Sequence, residues 1–300
     1  MLDVAIQFPK FLSAEVFPPL GPFDLFGLKI GPLVLRWYAL AYIAGLLLGW
    51  RYMVSLLRTE RLWANKTRPA TEPQLDDFLF WATLGVILGG RLGYILFYKP
   101  DMIWLRPAEM IAIWHGGMSF HGGLIGVGLA IWYFAKKHKV PLFSLADLVA
   151  AAAPIGLFFG RLANFVNGEL YGRATDAPWA VMFPTTDMFG TPGYTEPRHP
   201  SQLYEAFLEG LVLFVLLRFA THNKLALQKP GMTTGLFLLG YGVFRFLVEF
   251  VREPDQHMPE ALRGYLTMGM LLCVPMIALG LWFMRKANAG SAKPAAAKAT

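Results

Sequence analysis

Long apolar stretches alternate with short polar ones along most of the chain. Seven apolar stretches lie near residues 32–54, 77–98, 119–136, 145–166, 203–220, 233–251 and 265–284. An α-helix of about 20 residues is long enough to cross the ~30 Å hydrocarbon core of a bilayer. The pattern therefore predicts an all-α polytopic membrane protein with seven transmembrane helices.

One polar stretch between the second and third apolar stretches has an amphipathic pattern. Residues 102–118 place Trp104 and Leu105 among charged side chains and a proline. This stretch is too polar to span a membrane and is typical of a segment that lies in the interface. We therefore predict an interfacial amphipathic element that includes His115.

The other long polar stretch, residues 167–199, is rich in Gly, Pro, Thr and Asp. It is predicted to form a small head outside the membrane. We expect residues 1–286 to form a single seven-span domain. Residues 287–300, which are rich in Ala and Lys, are expected to form a disordered tail.

Basic residues predict the orientation of the helices. They follow the first, third, fifth and seventh apolar stretches: Arg51, Arg58, Arg61, Lys66, Arg68; Lys136, Lys137, Lys139; Arg218, Lys224, Lys229; Arg285, Lys286. The other loops mix both signs of charge. Because loops rich in Lys and Arg face the cytoplasm, we predict an outside N-terminus, a periplasmic head and a cytoplasmic C-terminus.

Composition agrees with a membrane protein, since 55% of the 300 residues are hydrophobic and only 16% are charged. The net charge of +7 comes from short basic clusters between apolar stretches, so we expect no nucleic-acid binding. Cys273, the only cysteine, excludes an intrachain disulfide and is interpreted as a core residue rather than a nucleophile. Asp3 and Glu15 replace the basic n-region of a signal peptide, so we expect no removable leader.

Glycines recur at four-residue spacing in three of the apolar stretches: Gly85, Gly89, Gly93; Gly122, Gly126; Gly156, Gly160. This spacing lets helix backbones approach closely in lipid. We interpret these glycines as packing positions rather than as ligands.

Polar side chains concentrate at the predicted outer ends of the helices. Arg91, Arg161 and Arg245 lie near the ends of helices that run outward, and Tyr38, His121 and His199 lie near the starts of helices that run inward. An ionisable side chain at membrane depth indicates a functional site more often than an arginine that extends to the headgroups. The topology therefore predicts one site in the outer leaflet.

The residue types at this level suit a phosphorylated substrate. The guanidinium fork of arginine binds phosphate. Glu249 and Arg252 share a helix face with Arg245 and form either part of the site or a plain salt-bridge pattern at a helix end. Asn164 and Asn167 would bind a hydroxyl group or cap their helix.

The remaining candidates each have a structural alternative. Glu169 would position Arg161 or a headgroup. Tyr38 and Tyr241 would face the site or belong to the aromatic belt at the membrane interface. An imidazole, whose reference pKa is ~6.5, could accept a proton from a thiol, whose reference pKa is ~8.5. His121 would therefore act as a base, or it would be a hydrogen-bonded structural group. His199 would hold the head against the helices.

Four polar segments resemble, in order, those of the prolipoprotein diacylglyceryl transferases, membrane enzymes of the bacterial lipoprotein pathway. They are residues 118–124, 160–172, 198–205 and 241–252, and the resemblance extends over roughly residues 30–256. Ala163 stands where the family pattern leads us to expect glycine, which is a small-for-small change.

The resemblance implies transfer of the sn-1,2-diacylglyceryl group from phosphatidylglycerol to the lipobox cysteine of a preprolipoprotein. The products would be a thioether and glycerol 1-phosphate, and the site would face the outer leaflet of the bacterial inner membrane. Partners would be phosphatidylglycerol, the signal peptide and membrane lipids, and no cofactor or metal would be required. Catalytic residues would be His121, Arg161 and Arg245; substrate-binding residues would be Arg161, Asn164, Asn167, Glu169, Tyr38, His199, Tyr241, Glu249 and Arg252.

Two alternatives from other functional classes remain open from the residues alone. A transporter or channel also places charges inside a helix bundle, but it should have polar groups along its whole depth. A lipid-binding scaffold would bind phosphatidylglycerol and release no glycerol phosphate.

Overall fold

The computed structural model describes residues 5–9, 11–25, 28–30, 32, 34–111, 116–186, 190–253 and 267–292. Asp3, His115 and residues 293–300 of the expected tail lie outside the described residues. So do residues 112–115 of the interfacial element and residues 265–266 at the start of the seventh apolar stretch.

Helices lie in all seven apolar stretches. The helices of the chain are α1 (Trp37–Arg58), α2 (Glu72–Tyr98), α3 (Met102–Leu105), α4 (Phe120–His138), α5 (Leu142–Val166), α6 (Ser201–Glu205), α7 (Leu213–His222), α8 (Met232–Val248) and α9 (Met268–Ala292). A π-helical segment, Ala206–Val212, joins α6 to α7. Within the described residues, four helices are long and apolar enough to cross a membrane, namely α1, α2, α5 and α9, and α8 is a shorter apolar helix. The chain is therefore a mostly helical, multi-pass membrane protein.

Glycines bring the helices of two pairs close together. A Cβ at Gly93 would lie 2.6 Å from Gly122 Cα, and one at Gly89 would lie 2.8 Å from Gly126 Cα. These contacts confirm that these glycines are packing positions, and they show that α2 packs against α4. Gly45 on α1 likewise lies close to Gly156 on α5, because a Cβ at Gly45 would be only 3.1 Å from Gly156 Cα.

The packing prediction is wrong for Gly160. A Cβ at this position would meet no atom of the described residues within 4 Å. No close helix contact among the described residues therefore depends on Gly160 being a glycine.

The main apolar core lies at one end of the helices. Phe78 near the start of α2, Phe134 near the end of α4 and Leu148 near the start of α5 are buried together with Leu56 and Leu57 near the end of α1. At the same end, the Asp147 carboxylate accepts hydrogen bonds from the backbone N–H groups of Gly231 and Thr234, both at 2.7 Å. Asp147 thus satisfies backbone donors at the start of α8.

Short strands lie at the opposite end. They are β1 (Ile6–Gln7), β2 (Phe23–Leu25), β3 (Leu28–Ile30), β4 (Val181–Met182), β5 (Pro184–Thr186) and β6 (Pro192–Tyr194). β1 pairs in parallel with β4, while β2 with β3 and β5 with β6 form antiparallel hairpins. Phe8, Val181 and Phe183 form a small buried cluster between the N-terminal segment and residues 167–199.

The stretch predicted to be interfacial contains α3 and a 3-10 helix, Pro107–Ile111. Trp104, Leu105 and Ile111 expose large apolar side chains. Arg91 on α2 donates hydrogen bonds from its guanidinium to backbone carbonyls of Glu109, Met110, Gly116 and Gly117. Arg91 therefore anchors the segment between α3 and α4 to α2.

Candidate active site

Three arginines and three glutamates form a cluster at the end of the helices that is opposite the apolar core. Arg161 comes from the last turns of α5, Glu205 ends α6, and Glu209 lies in the π-helical segment. The other three members, Arg245, Glu249 and Arg252, come from the end of α8 and the turn after it. We call these six residues the charge cluster.

A close helix contact positions the glutamates. A Cβ at Gly210 would lie 2.7 Å from Phe158 Cβ on α5. Only a glycine permits this approach, and it brings the π-helical segment against the turn of α5 that precedes Arg161. π-Helical segments are rare and occur often at functional sites.

Glu205 is the centre of the charge cluster. One of its carboxylate oxygens lies 2.7 Å from Arg161 Nη2, and the other lies 2.8 Å from Arg252 Nη1. Arg245 Nη1 is 4.0 Å from Glu205, and Arg245 Nη2 is 2.9 Å from Glu249. Glu205 thus connects Arg161 of α5 with Arg252, which follows α8.

The two kinds of charge differ in exposure. The side chains of Glu205 and Glu209 are fully buried, whereas those of Arg161 and Arg245 are 18% and 14% exposed. The glutamates therefore lie beneath the arginines. The guanidinium groups form the surface that an anionic ligand would meet.

Amide side chains extend the site from Arg161 toward the head. Arg161 Nη1 donates to Asn164 Oδ1 at 3.5 Å, and Asn164 donates to Glu169 Oε1 at 2.9 Å. Asn167 donates to the same Glu169 oxygen at 3.2 Å, and its own Oδ1 is buried without a hydrogen-bond partner among the described residues. Glu169 therefore positions Arg161 through Asn164.

The N-terminal turn of α6 holds the loop that carries Glu169. Gln202 donates to the backbone carbonyl of Glu169 at 2.6 Å, and Ser201 donates to that of Leu170 at 3.1 Å. The loop includes two residues with positive φ, Gly168 at 66° and Leu170 at 58°. These hydrogen bonds stabilise a backbone conformation that a leucine rarely adopts.

The head also fixes Arg252. The Arg173 N–H donates to the Val251 carbonyl at 2.9 Å, and Arg173 Nε donates to the Arg252 carbonyl at 2.7 Å. A Cβ at Gly172 would collide with the Val251 carbonyl. Gly172 thus allows the head to lie directly on the turn that carries Arg252.

His199 lies where the head meets α6. Its Nδ1 is 3.2 Å from the Tyr204 hydroxyl, which accepts a hydrogen bond from Trp179 at 2.7 Å. Partial burial lowers the pKa of His199 from its usual value, so its imidazole is favoured in the neutral form. Its carbonyl accepts from the Gly172 N–H at 2.9 Å, which joins His199 to the head.

The two predicted tyrosines lie near Arg161. Tyr241 interacts electrostatically with Arg161 and Arg245, and Tyr38 interacts with Arg161. The Tyr38 hydroxyl is 3.3 Å from that of Tyr42. Tyr241 therefore lies near the charge cluster.

His121 lies on a different helix from the charge cluster. It is the second residue of α4, and its side chain is exposed. The ion pairs of the three arginines are made with glutamates. Arg161, Arg245, Glu249 and Arg252 are thus brought together, whereas His121 belongs to α4, which supplies none of the six residues of the charge cluster.

Sequence reasoning missed Glu205 and Glu209. The hydrophobic pattern of residues 203–220 predicts a membrane span, and both glutamates lie within that apolar stretch. Two carboxylates four residues apart in an apolar helix are themselves a signal of function. Their spacing places them on one helix face.

No group of three or more His, Cys, Asp and Glu side chains that could hold a metal ion occurs within the described ranges. Every carboxylate of the charge cluster lies within 4.0 Å of an arginine. Guanidinium groups are thus the described cations that lie closest to these glutamates.

Comparisons with known proteins match the whole membrane region. A family model described as prolipoprotein diacylglyceryl transferase matches residues 26–285. The chain is 52% identical over 285 residues to a phosphatidylglycerol–prolipoprotein diacylglyceryl transferase of Phenylobacterium zucineum, covering 94% of this chain and 98% of the relative. Relatives with the same name in Agrobacterium fabrum and Brucella canis are 51% and 50% identical, over 95% and 94% of this chain and 99% and 97% of their own lengths.

Proposed function

The chain belongs to the prolipoprotein diacylglyceryl transferase family, and we propose that its charge cluster is the centre at which the phosphate of the lipid donor is bound. The chain is an enzyme of lipoprotein biosynthesis. It transfers the sn-1,2-diacylglyceryl group of phosphatidylglycerol to the lipobox cysteine of a preprolipoprotein, the first step of lipoprotein maturation. The products are a thioether-linked prolipoprotein and glycerol 1-phosphate.

The reaction defines what the site must provide. The cysteine sulfur attacks the glycerol carbon that carries the phosphate ester, so a C–S bond forms and a C–O bond breaks. The bonding electrons of the C–O bond stay with the phosphate oxygen, and the thiol proton goes to a base. The protein must therefore stabilise the departing phosphate and accept a proton.

Arg161 and Arg245 are proposed to bind the phosphate. Their partly exposed guanidinium groups lie above buried glutamates, an arrangement that holds two planar donors in place before the substrate arrives. A single well-placed donor to a developing anion is worth about 3–4 kcal/mol in other enzymes. This placement of two arginines from different helices is the observation that carries the proposal.

Asn164, Asn167, Glu169 and Tyr241 are proposed to surround the rest of the headgroup. Asn167 Oδ1 is a buried acceptor without a donor among the described residues, and the glycerol headgroup of phosphatidylglycerol offers hydroxyl donors. Tyr38 and His199 are proposed to border this region. We propose that they shape it, together with Glu249 and Arg252.

His121 is proposed as the base that accepts the thiol proton. Its exposed imidazole at the start of α4 is accessible to a peptide that approaches through the membrane. General-base catalysis of this kind typically contributes about 10²–10⁴-fold. The nucleophile belongs to the substrate, which agrees with the burial of Cys273.

The enzyme is proposed to lie in the bacterial inner membrane with seven spans and the charge cluster toward the outer leaflet. Pairing of β1 with β4 supports an N-terminus on the same side as the head. On the other side, Arg61 donates to the His222 carbonyl at 3.2 Å, so the basic loops after α1 and α7 lie together. Loops rich in basic residues favour the cytoplasm.

A donor-lipid assay tests the proposed function. Purified protein with phosphatidylglycerol and a lipobox peptide should yield thioether and glycerol 1-phosphate in equal amounts. Phosphatidylethanolamine, whose headgroup carries a cationic amine, should support little transfer because it would meet the arginines. Equal turnover of the two lipids would contradict the proposed role of the arginines.

A further inference from the structure

Glu209 differs from the other carboxylates of the charge cluster. Its side chain is fully buried, and neither carboxylate oxygen has a hydrogen-bond partner among the described residues. Among the described residues, the closest cationic atom is Arg161 Nη2, at 3.9 Å. An ionised carboxylate in a protein interior normally accepts several hydrogen bonds.

Each arginine of the charge cluster has a closer partner than Glu209. Arg161 and Arg252 are within 2.8 Å of Glu205, and Arg245 is 2.9 Å from Glu249. Among the described residues, the other ionisable groups that interact electrostatically with Glu209 are Tyr241 on α8 and Cys273 on α9. No cation of the described cluster is therefore left to pair with Glu209 alone.

The charges of the cluster lead to the same conclusion. Three arginines and the two paired glutamates, Glu205 and Glu249, leave one net positive charge. An ionised Glu209 would cancel it and leave a neutral site for an anionic phosphate. An ionised carboxylate that is buried beside a second carboxylate is destabilised by charge repulsion. A buried carboxyl group in this position avoids the repulsion by keeping its proton.

We propose that Glu209 carries a proton when the phosphatidylglycerol headgroup is bound, so that the charge cluster offers one net positive charge to the phosphate monoanion. Glu209 acts through Arg161 and is thus a positioning residue rather than a catalytic one. The inference rests on the proposed role of the charge cluster as the phosphate site.

Lipid binding is then coupled to proton binding. When Glu209 loses its proton, the charge cluster becomes neutral and its affinity for the anionic headgroup falls. By thermodynamic reciprocity, binding of the headgroup favours protonation of Glu209. The phosphodiester of the lipid remains a monoanion throughout, so the pH dependence originates in the protein.

Equilibrium binding of phosphatidylglycerol to the purified full-length chain in neutral detergent micelles tests this coupling. The measurement omits the lipobox peptide, so the substrate thiol does not contribute. From about pH 6 to about pH 9, the affinity of the wild type should fall by on the order of tenfold. Glu209→Gln, which is neutral at every pH, should show a much flatter dependence.

Two controls isolate the effect. Diacylglycerol, which has no phosphate, should bind with little pH dependence. Glu253→Gln removes an exposed carboxylate that pairs with Arg198 outside the cluster, so it should follow the wild type. A flat wild-type profile, or a Glu209→Gln profile as steep as that of the wild type, overturns the proposal.

A second measurement needs no variant. In weakly buffered solution within the range where affinity changes, the wild type should take up protons when it binds phosphatidylglycerol. Binding without proton uptake also overturns the role of Glu209, while the transfer reaction would stand. Failure to bind phosphatidylglycerol at any pH would instead contradict the proposed phosphate site.

Discussion

At the scale of single residues, Glu205 determines how the arginines are arranged. Glu205→Gln keeps the shape of the side chain but removes the charge next to Arg161 and Arg252. Removal of one partner from a buried ion pair typically costs about 3–5 kcal/mol. We therefore expect both a lower unfolding temperature and a loss of transfer on the order of 100-fold.

Glu196→Gln is the matched control for this prediction. Glu196 pairs with Arg198 at 3.0 Å but is 59% exposed, and exposed ion pairs are worth only about 0–1 kcal/mol. Transfer assays and thermal unfolding of both variants provide the comparison. If the two variants behave alike, Glu205 is not the organising residue of the cluster.

His121→Asn separates proton transfer from phosphate binding. The variant keeps a polar group of similar size and loses the proton acceptor, so transfer should fall near neutral pH. It should recover in part toward the thiol's own pKa of ~8.5, where the substrate supplies thiolate unaided. Rates of thioether formation across pH provide the measurement; full activity at neutral pH, or no recovery at high pH with lipid still bound, would exclude His121 as the base.

The sequence predicted part of the site because some of its residues carry a readable pattern. Arg161, Arg245, Glu249 and Arg252 lie at helix ends, where charge in an apolar context stands out. Glu205 and Glu209 were missed because they occur early in an apolar stretch. The spacing of residues along a helix does not show which other helix packs against a given face. Their partners come from α5 and α8, far away in sequence.

At the scale of helices, close packing of α2 on α4 depends on glycine. Gly126→Val should destabilise the protein, since even a Cβ at Gly126 would lie only 3.0 Å from Gly89 Cα. Overpacking typically costs about 1–3 kcal/mol. Thermal unfolding in detergent measures the effect.

Gly128→Val on the same helix provides the control. A Cβ at Gly128 would meet no described atom within 4 Å, so the substitution should leave the unfolding temperature nearly unchanged. Equal shifts for Gly126→Val and Gly128→Val would indicate that helix propensity, rather than the α2–α4 contact, determines the outcome.

Hydrophobic periodicity predicted the positions of the helices, but not their irregularities. The hydrophobic pattern of residues 206–212 does not predict the π-helical segment, in which Gly210 packs against Phe158 of α5. β1 and β4 were also missed. Each has only two residues, and they pair across more than half of the chain.

At the scale of the whole molecule, the apolar core and the charge cluster lie at opposite ends of the helices. The apolar core at one end contains Phe78, Phe134 and Leu148. The charge cluster at the other end contains Arg161 and Arg245. An ion path would need polar groups along the full depth. The arrangement instead favours chemistry at one membrane surface.

The same arrangement predicts the sidedness of the protein. In a Cys273→Ala background, Thr185→Cys in the head should react with a membrane-impermeant thiol reagent added to spheroplasts. Asn223→Cys, in the basic loop after α7, should react only after the membrane is opened. Both positions are exposed, so a reversed pattern would contradict the outward placement of the charge cluster.

The most direct test of the phosphate site is the transfer rate of Arg161→Lys. This variant keeps the positive charge and loses the fork that binds phosphate through two donors. With phosphatidylglycerol and a lipobox peptide, we expect transfer to fall on the order of 100-fold at every pH, while the protein stays folded in the membrane. Wild-type rates in the folded Arg161→Lys variant, or recovery of its activity at high pH, would contradict the conclusion that Arg161 stabilises the departing phosphate.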